Sequence, residues 1–235
     1  MPDKVYIVDT RYFDEINHAF RNGRLFLGSV PCPSLPDETA YHPDMVLFPV
    51  APGCVICAPE VYDAYHRILS PLGVQLVQGT KALGRDYPKD IAYNVLSTPS
   101  CAFARFQSTD PLITNLLDEC GIRRYDVAQG YARCSSIAFE NCLITADPSL
   151  AAAGKKAGLE ILEITPGHIE LPGYDYGFIG GASGIIDDSV AFFGDLSFHP
   201  DGDKIRQFIK NHGFSVQEIP GRMLCDIGTI LCIEL

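Results

Sequence analysis

The side chains able to do chemistry here are thiols, one histidine in a distinctive setting, and a set of recurring carboxylates. Cysteines stand at 32, 54, 57, 101, 120, 134, 142, 225 and 232. Such a thiol is a nucleophile when a neighbouring histidine or positive charge favours its thiolate, and otherwise packs as a small hydrophobe. His168 follows the turn Thr165-Pro166-Gly167 and precedes Glu170 by two residues. In a turn such a ring is solvated or caps a helix, unless a reacting group lies beside it. Asp44, Asp90, Asp175 and Asp226 each stand just before an apolar stretch. An aspartate in that position bonds its own backbone in a turn, or, for Asp90, Asp175 and Asp226, walls a site for a cation. Asn94, Arg133, Cys134, Ser135 and Ser136 interrupt apolar stretches. Unpaired polar groups are costly in a core, so these residues mark a lined channel.

Composition narrows the ligand. The 235 residues carry a formal net charge of -11, with 47% hydrophobic and 20% charged residues. The chain can bury a large core, and its acidity repels phosphate backbones but suits a cationic small molecule. No nucleic-acid partner is expected. No apolar run approaches the ~20 residues of a bilayer span, and Met1-Pro2-Asp3-Lys4 lacks the features of a signal peptide, so no membrane partner and a cytoplasmic location are expected. Cys54-x-x-Cys57 lacks a second pair at ligand spacing, which argues against a metal. Ile179-Gly180-Gly181-Ala182-Ser183-Gly184 lacks the Lys-Ser/Thr of a phosphate loop and reads instead as a close backbone approach. No cofactor is called for.

The elements that position these residues form an internal repeat. Each unit is an apolar strand with a polar start, a second strand, a capped amphipathic helix closed by Gly, and a third strand. Asp110-Pro111 and Asp147-Pro148 are helix starts, with Asp as cap and Pro in the first turn. Whole units are read at about 41–79, 87–127, 128–164 and 171–219. A fifth is split, with 222–235 completed by 4–28. The strand starts at 44, 90, 130, 175 and 226 lie 40 to 51 residues apart. A unit shared between the termini describes a closed α/β ring over a single domain, 1–235.

A fivefold ring of ββαβ units with a short C-terminal strand bearing a Cys resembles the pentein fold, the α/β propeller of the guanidine-modifying enzymes. That superfamily includes arginine and agmatine deiminases, dimethylarginine hydrolases, amidinotransferases, and a non-catalytic ribosome anti-association factor. Gly167-His168-Ile169-Glu170 is similar to the family's Gly-His-hydrophobic-Asp box. Gly228-Thr229-Ile230-Leu231-Cys232 takes the place of the glycine-rich strand ending in the nucleophile. The third unit has Gln129-Gly130-Tyr131-Ala132 where the family has Glu-Gly-Gly-Asp.

The resemblance implies Cys232 as nucleophile and His168 as general acid and base, with Glu170 orienting it or binding the substrate. Asp90, Asn94, Asp175 and Asp226 would then line the substrate site. A guanidinium carbon is a poor electrophile unless carboxylates hold the cation while a thiolate attacks. The expected activity is Cys-dependent hydrolysis, or amidino transfer, on a guanidino or amidino small molecule. The alternative is a non-catalytic binding or interaction protein on the same ring.

Overall fold

Aspartate caps and left-handed glycines divide the chain into its elements. Asp110 Oδ1 accepts the Leu112 amide at 2.8 Å, and Asp147 Oδ1 accepts those of Ser149 and Leu150 at 2.8 and 2.9 Å. Gly158, at φ +87°, ends the helix that Asp147 begins. The computed structural model describes residues 3–235.

In chain order the first elements are β1 (Lys4–Val8), α1 (Phe13–Phe20) and β2 (Leu25–Gly28). The first whole unit is β3 (Leu47–Ala51), β4 (Cys54–Cys57), α2 (Tyr62–Leu69) and β5 (Gln75–Gln78). The second is β6 (Leu96–Ser97), β7 (Cys101–Ala104), α3 (Pro111–Glu119) and β8 (Arg123–Asp126). The third is β9 (Ser136–Phe139), β10 (Cys142–Thr145), α4 (Pro148–Ala157) and β11 (Glu160–Glu163). The fourth is β12 (Ser183–Ile186), β13 (Ser189–Phe192), α5 (Gly202–Asn211) and β14 (Ser215–Gln217). The last strand is β15 (Leu231–Glu234).

Five three-stranded sheets result, and in each the middle strand pairs antiparallel with one neighbour and parallel with the other. The fifth sheet joins the two chain ends. Its β15 runs antiparallel to β1, with Ile233 opposite Val5, and β1 runs parallel to β2. The inner strands β3, β6, β9, β12 and β15 surround an axis, with β15 between β12 and β3 and β9 between β6 and β12. This is a pentein-type α/β propeller. Its core lies between sheets and helices, as where Ile113 and Leu117 of α3 pack with Val46, Val55 and Ala102. Burying each such aliphatic side chain contributes about 1.5–3 kcal/mol.

The inner strands begin later than the apolar pattern predicts. Stretches expected to be extended from Ile91, Tyr131, Tyr176 and Ile227 are irregular, and pairing begins only at Leu96, Ser136, Ser183 and Leu231. The cause is side-chain competition for the backbone. Asn94 Oδ1 accepts the amides of Arg133 and Cys134 at 2.9 and 3.4 Å. Asp226 accepts those of Gly228 and Phe178 at 3.0 and 2.9 Å. These irregular leading segments form one mouth of the axis.

The glycine-rich run is the close approach its composition predicts. A Cβ on Gly180 would strike the carbonyl oxygens of Arg133 and Ser136, and one on Gly181 would strike the Asp226 carboxylate. Among the described residues no helix is long and apolar enough to cross a membrane.

Candidate functional site

At the leading mouth, four of the five units bring polar side chains together with almost no water access. Asp44 is fully buried, Asp226 is 2% exposed and His42 is 2% exposed. The Asp44 amide donates to the Gly228 carbonyl, which ties the first unit to the last. Gly228 has φ +67°, and a Cβ there would collide with His42. Both the left-handed backbone and the close approach therefore require glycine. The Cys134 thiol donates to Asp44 Oδ2 at 2.9 Å, and Asn94 Nδ2 donates to the Asp44 carbonyl at 3.3 Å.

His42, Met45, Tyr131, Cys134, Phe178 and Asp226 border a cavity of about 130 Å³. Thr39 and the exposed Tyr174 and Tyr176 form its rim. The Pro-rich segment 29–41 has a place here. It closes on itself through the Cys32 amide and Ala40 carbonyl, at 2.8 Å, and delivers Thr39 and His42 to the cavity.

Burial sets the protonation of these groups. Asp226 is pushed up to about 7, first by burial and then by repulsion from Asp44. Burial likewise raises Asp44 to about 6, against the hydrogen bond from Cys134. The His42 imidazole is driven down to about 3 by burial and then by Arg11. Its Nδ1 lies 3.8 Å from Asp226 Oδ1, too far for a hydrogen bond, and a neutral ring makes no ion pair there. Asp44 Oδ1 and His42 Nε2 are buried without a hydrogen-bond partner. Asp226 on the cavity wall and Asp44 buried behind it together generate a negative field for a cation.

The opposite, trailing mouth is different. Cys232 and Arg133 line a small inner cavity of about 100 Å³ together with Ser136, Ser183 and Thr229. An outer, more open cavity of about 410 Å³ shares Ser97, Arg133 and Cys232. The Cys232 thiol is half-buried and pushed up to about 11, chiefly by burial. Arg133 acts in the opposite sense on that thiol.

The residues expected from the sequence fall in separate places. Asp226 and Asn94 belong to the leading mouth. Asp90 stands one layer behind it, accepting the Tyr131 hydroxyl at 2.5 Å. Asp175 is exposed and contributes nothing to either mouth, because the loop from Leu171 to Tyr176 carries it outward. His168 is exposed at φ +63°, its ring 5.7 Å from that of His199. Glu170 is exposed, while its backbone bridges Cys225 and accepts the Asp226 amide at 2.8 Å. Cys232, His168 and Glu170 share no hydrogen bond and line no common cavity, so the expected trio is not assembled.

His42 and Tyr131 were not singled out by residue type, and Asp44 was marked only as the start of a strand. For Asp44 and His42 the available signal was the sequence His42-Pro43-Asp44 at the first of the repeated strand starts.

Comparison with solved structures places this geometry in context. The chain is similar over its whole length to DDAH from Pseudomonas aeruginosa, in a cysteine-to-serine variant complexed with citrulline. That match covers 100% of both chains at 10% identity with a TM-score of 0.56. It is also similar to a dimethylarginine dimethylaminohydrolase adduct with 4-chloro-2-hydroxymethylpyridine, covering 93% of this chain and 92% of that one at 13% identity and TM-score 0.51. At these identities the likeness is one of fold alone. No curated protein matches the sequence. One family model matches residues 7–231, and with that span the chain belongs to the family described as "Family of unknown function (DUF6873)".

Proposed function

We propose that the leading mouth binds a small planar organic cation of the guanidinium or amidinium class. The observation that carries this reading is the buried Asp226 carboxylate on the cavity wall, with the fully buried Asp44 behind it, tied to the lining residue Cys134. A planar N–H fork in the cavity would meet Asp226 by a charge-assisted hydrogen bond, and its charge relieves the repulsion between the two aspartates. The neutral His42 Nε2 supplies a further acceptor or donor according to its tautomer. Tyr174 and Tyr176 leave a way out for the rest of the molecule. The solved relatives named for dimethylarginine hydrolysis support the same ligand class by analogy of fold alone.

A second reading, hydrolysis, is favoured by the 2.9 Å contact between Cys134 and Asp44 at this cavity. Cys134 would pass its proton to Asp44, and its sulfur would form a bond to the amidinium carbon. The C–N bond would then break, with the leaving amine taking that proton, and water would later release the thiol. Burial holds the thiol well above its ordinary range, so only the bound cation makes its ionisation accessible.

The test is a calorimetric titration at pH 8 with methylguanidine and with acetamidine, using tetramethylammonium for comparison. Saturable binding of the planar cations is expected. Indifference to all three, or equal binding of tetramethylammonium, would remove the reading. Release of ammonia or methylamine that disappears in Cys134→Ser would mark a hydrolase, and its absence would mark a binding protein.

A further inference from the structure

The trailing mouth contains a cation with no carboxylate in contact with it. Arg133 lies immediately before Cys134, yet its side chain lines the inner and outer cavities at the other end of the axis. Among the described residues its guanidinium donates no hydrogen bond and has no carboxylate oxygen within 4.0 Å. Its Nε is buried and unpaired. Burial disfavours the charge, but a guanidinium does not surrender its proton in a protein. A half-buried guanidinium with no carboxylate in contact is costly to hold, its Nε–H is a buried donor without a partner, and Asp44 acts on it through its field and not by contact.

The surroundings match this excess of donors. Ser136, 3% exposed, borders the same inner cavity, and its Oγ is also without a partner. The hydroxyls of Ser183 and Thr229 are already engaged, donating to the Ile179 and Gly180 carbonyls at 2.9 and 2.6 Å. Thr229 sits at φ +77°, a backbone that a β-branched residue rarely adopts, so its hydroxyl is held in place by the fold. At the outer rim, Asp187 is taken up by Arg24 at 2.7 Å and Lys4 at 3.6 Å, and Glu234 is exposed. Arg133 is thus the charged side chain that lines the inner cavity.

We propose that the trailing mouth is a binding site for a small oxyanion, a carboxylate or phosphate group, received by the Arg133 fork with the Ser136 hydroxyl donating a further bond. Planar guanidinium geometry fits either group bidentately. The inner cavity of about 100 Å³ admits one such group, and the outer cavity leaves room for the molecule that carries it. Cys232 would lie beside the bound anion and be shielded by it. The site does not depend on the cation reading, because none of its donors lines the leading cavity.

Sodium phosphate and sodium acetate are to be titrated by calorimetry at constant ionic strength, with sodium chloride as the reference. Saturation by phosphate alone assigns the phosphate source, and saturation by acetate assigns the carboxylate source. Arg133→Met is expected to weaken the saturating probe about tenfold or more, and Ser136→Ala severalfold. No saturation by either probe, or equal binding by Arg133→Met, overturns the proposal. Should Arg133→Met fail to fold, the rate of Cys232 alkylation by iodoacetamide in the wild-type protein decides. It is expected to slow severalfold under saturating probe while the exposed Cys120 reacts unchanged, and an unchanged Cys232 rate overturns the proposal.

Discussion

Arg133 and Cys134 are consecutive in the chain, yet they line cavities at opposite ends of the propeller axis. The backbone turns here before β9 begins, with the Ser135 amide donating to the Tyr131 carbonyl at 2.9 Å. One peptide unit thus separates an acidic mouth from a basic one. The two ends would select ligands of opposite charge, and they are coupled through the field between Arg133 and Asp44, each favouring the other's charged form.

The acidic mouth predicts a pH dependence of definite sign. Asp44 and Asp226 have folded pKa values raised to about 6 and about 7, against an unfolded value near 3.8. Their contribution to folding stability is therefore full below about pH 4 and is lost as pH rises to about 7. Cation affinity runs the other way, because the cation needs ionised carboxylates. Binding of methylguanidine should strengthen by about tenfold or more between pH 5.5 and pH 8. A flat profile would contradict the assignment.

Asp44→Asn should separate stability from binding. The amide oxygen can accept the Cys134 thiol as Asp44 Oδ2 does, and the carboxylate's desolvation cost disappears. At pH 8 the variant should melt no lower than the wild type while losing at least about tenfold in cation affinity, since the carboxylate charge behind the cavity is removed. A variant that melts lower but binds normally would argue for a purely structural aspartate.

Gly181→Ala should disable the same mouth from the backbone side. Its Cβ would collide with the Asp226 carboxylate, so Asp226 must move or the chain must yield. Destabilisation of about 1–3 kcal/mol is expected, read from chemical denaturation, together with loss of cation binding. Normal binding in a stable Gly181→Ala protein would mean that Asp226 does not contact the ligand.

Cys232→Ala and His168→Ala should each leave cation binding unchanged, because neither residue borders the leading cavity. By contrast, removing residues 228–235 deletes β15, whose Leu231 and Ile233 are buried and which pairs along β1. That truncation should not fold. A cooperative thermal transition from it would show that the ring does not need its C-terminal strand.

The ring could be read from the sequence because its signals are local. Asp-Pro helix starts, closing glycines and apolar strands recur at a fixed rhythm, and the split unit follows from the mismatch at the two ends. The late strand starts could not be read so, since Ile91 to Val95 and Ile227 to Ile230 are as apolar as strands. Their irregularity comes from Asn94 and Asp226 bonding backbone in other units, and a pattern along one unit does not report such bonds. The site was partly legible. Asn94, Asp226, Arg133 and Cys134 stood out as polar residues in apolar stretches. His42 did not, because only the closure of segment 29–41 carries it to the axis. The trio of Cys232, His168 and Glu170 was read from order along the chain, and the loop from Leu171 to Tyr176 lies between that order and proximity in space.

The most direct measurement is the affinity of methylguanidine at pH 8 for the wild type, Asp44→Asn and Cys232→Ala, determined side by side by calorimetry. A cation site lined by Asp226 with the Asp44 charge behind it predicts saturable binding to the wild type and to Cys232→Ala, and binding at least about tenfold weaker in Asp44→Asn. Equal affinity in Asp44→Asn, or loss of binding in Cys232→Ala alone, would contradict it and move the cation to the other mouth.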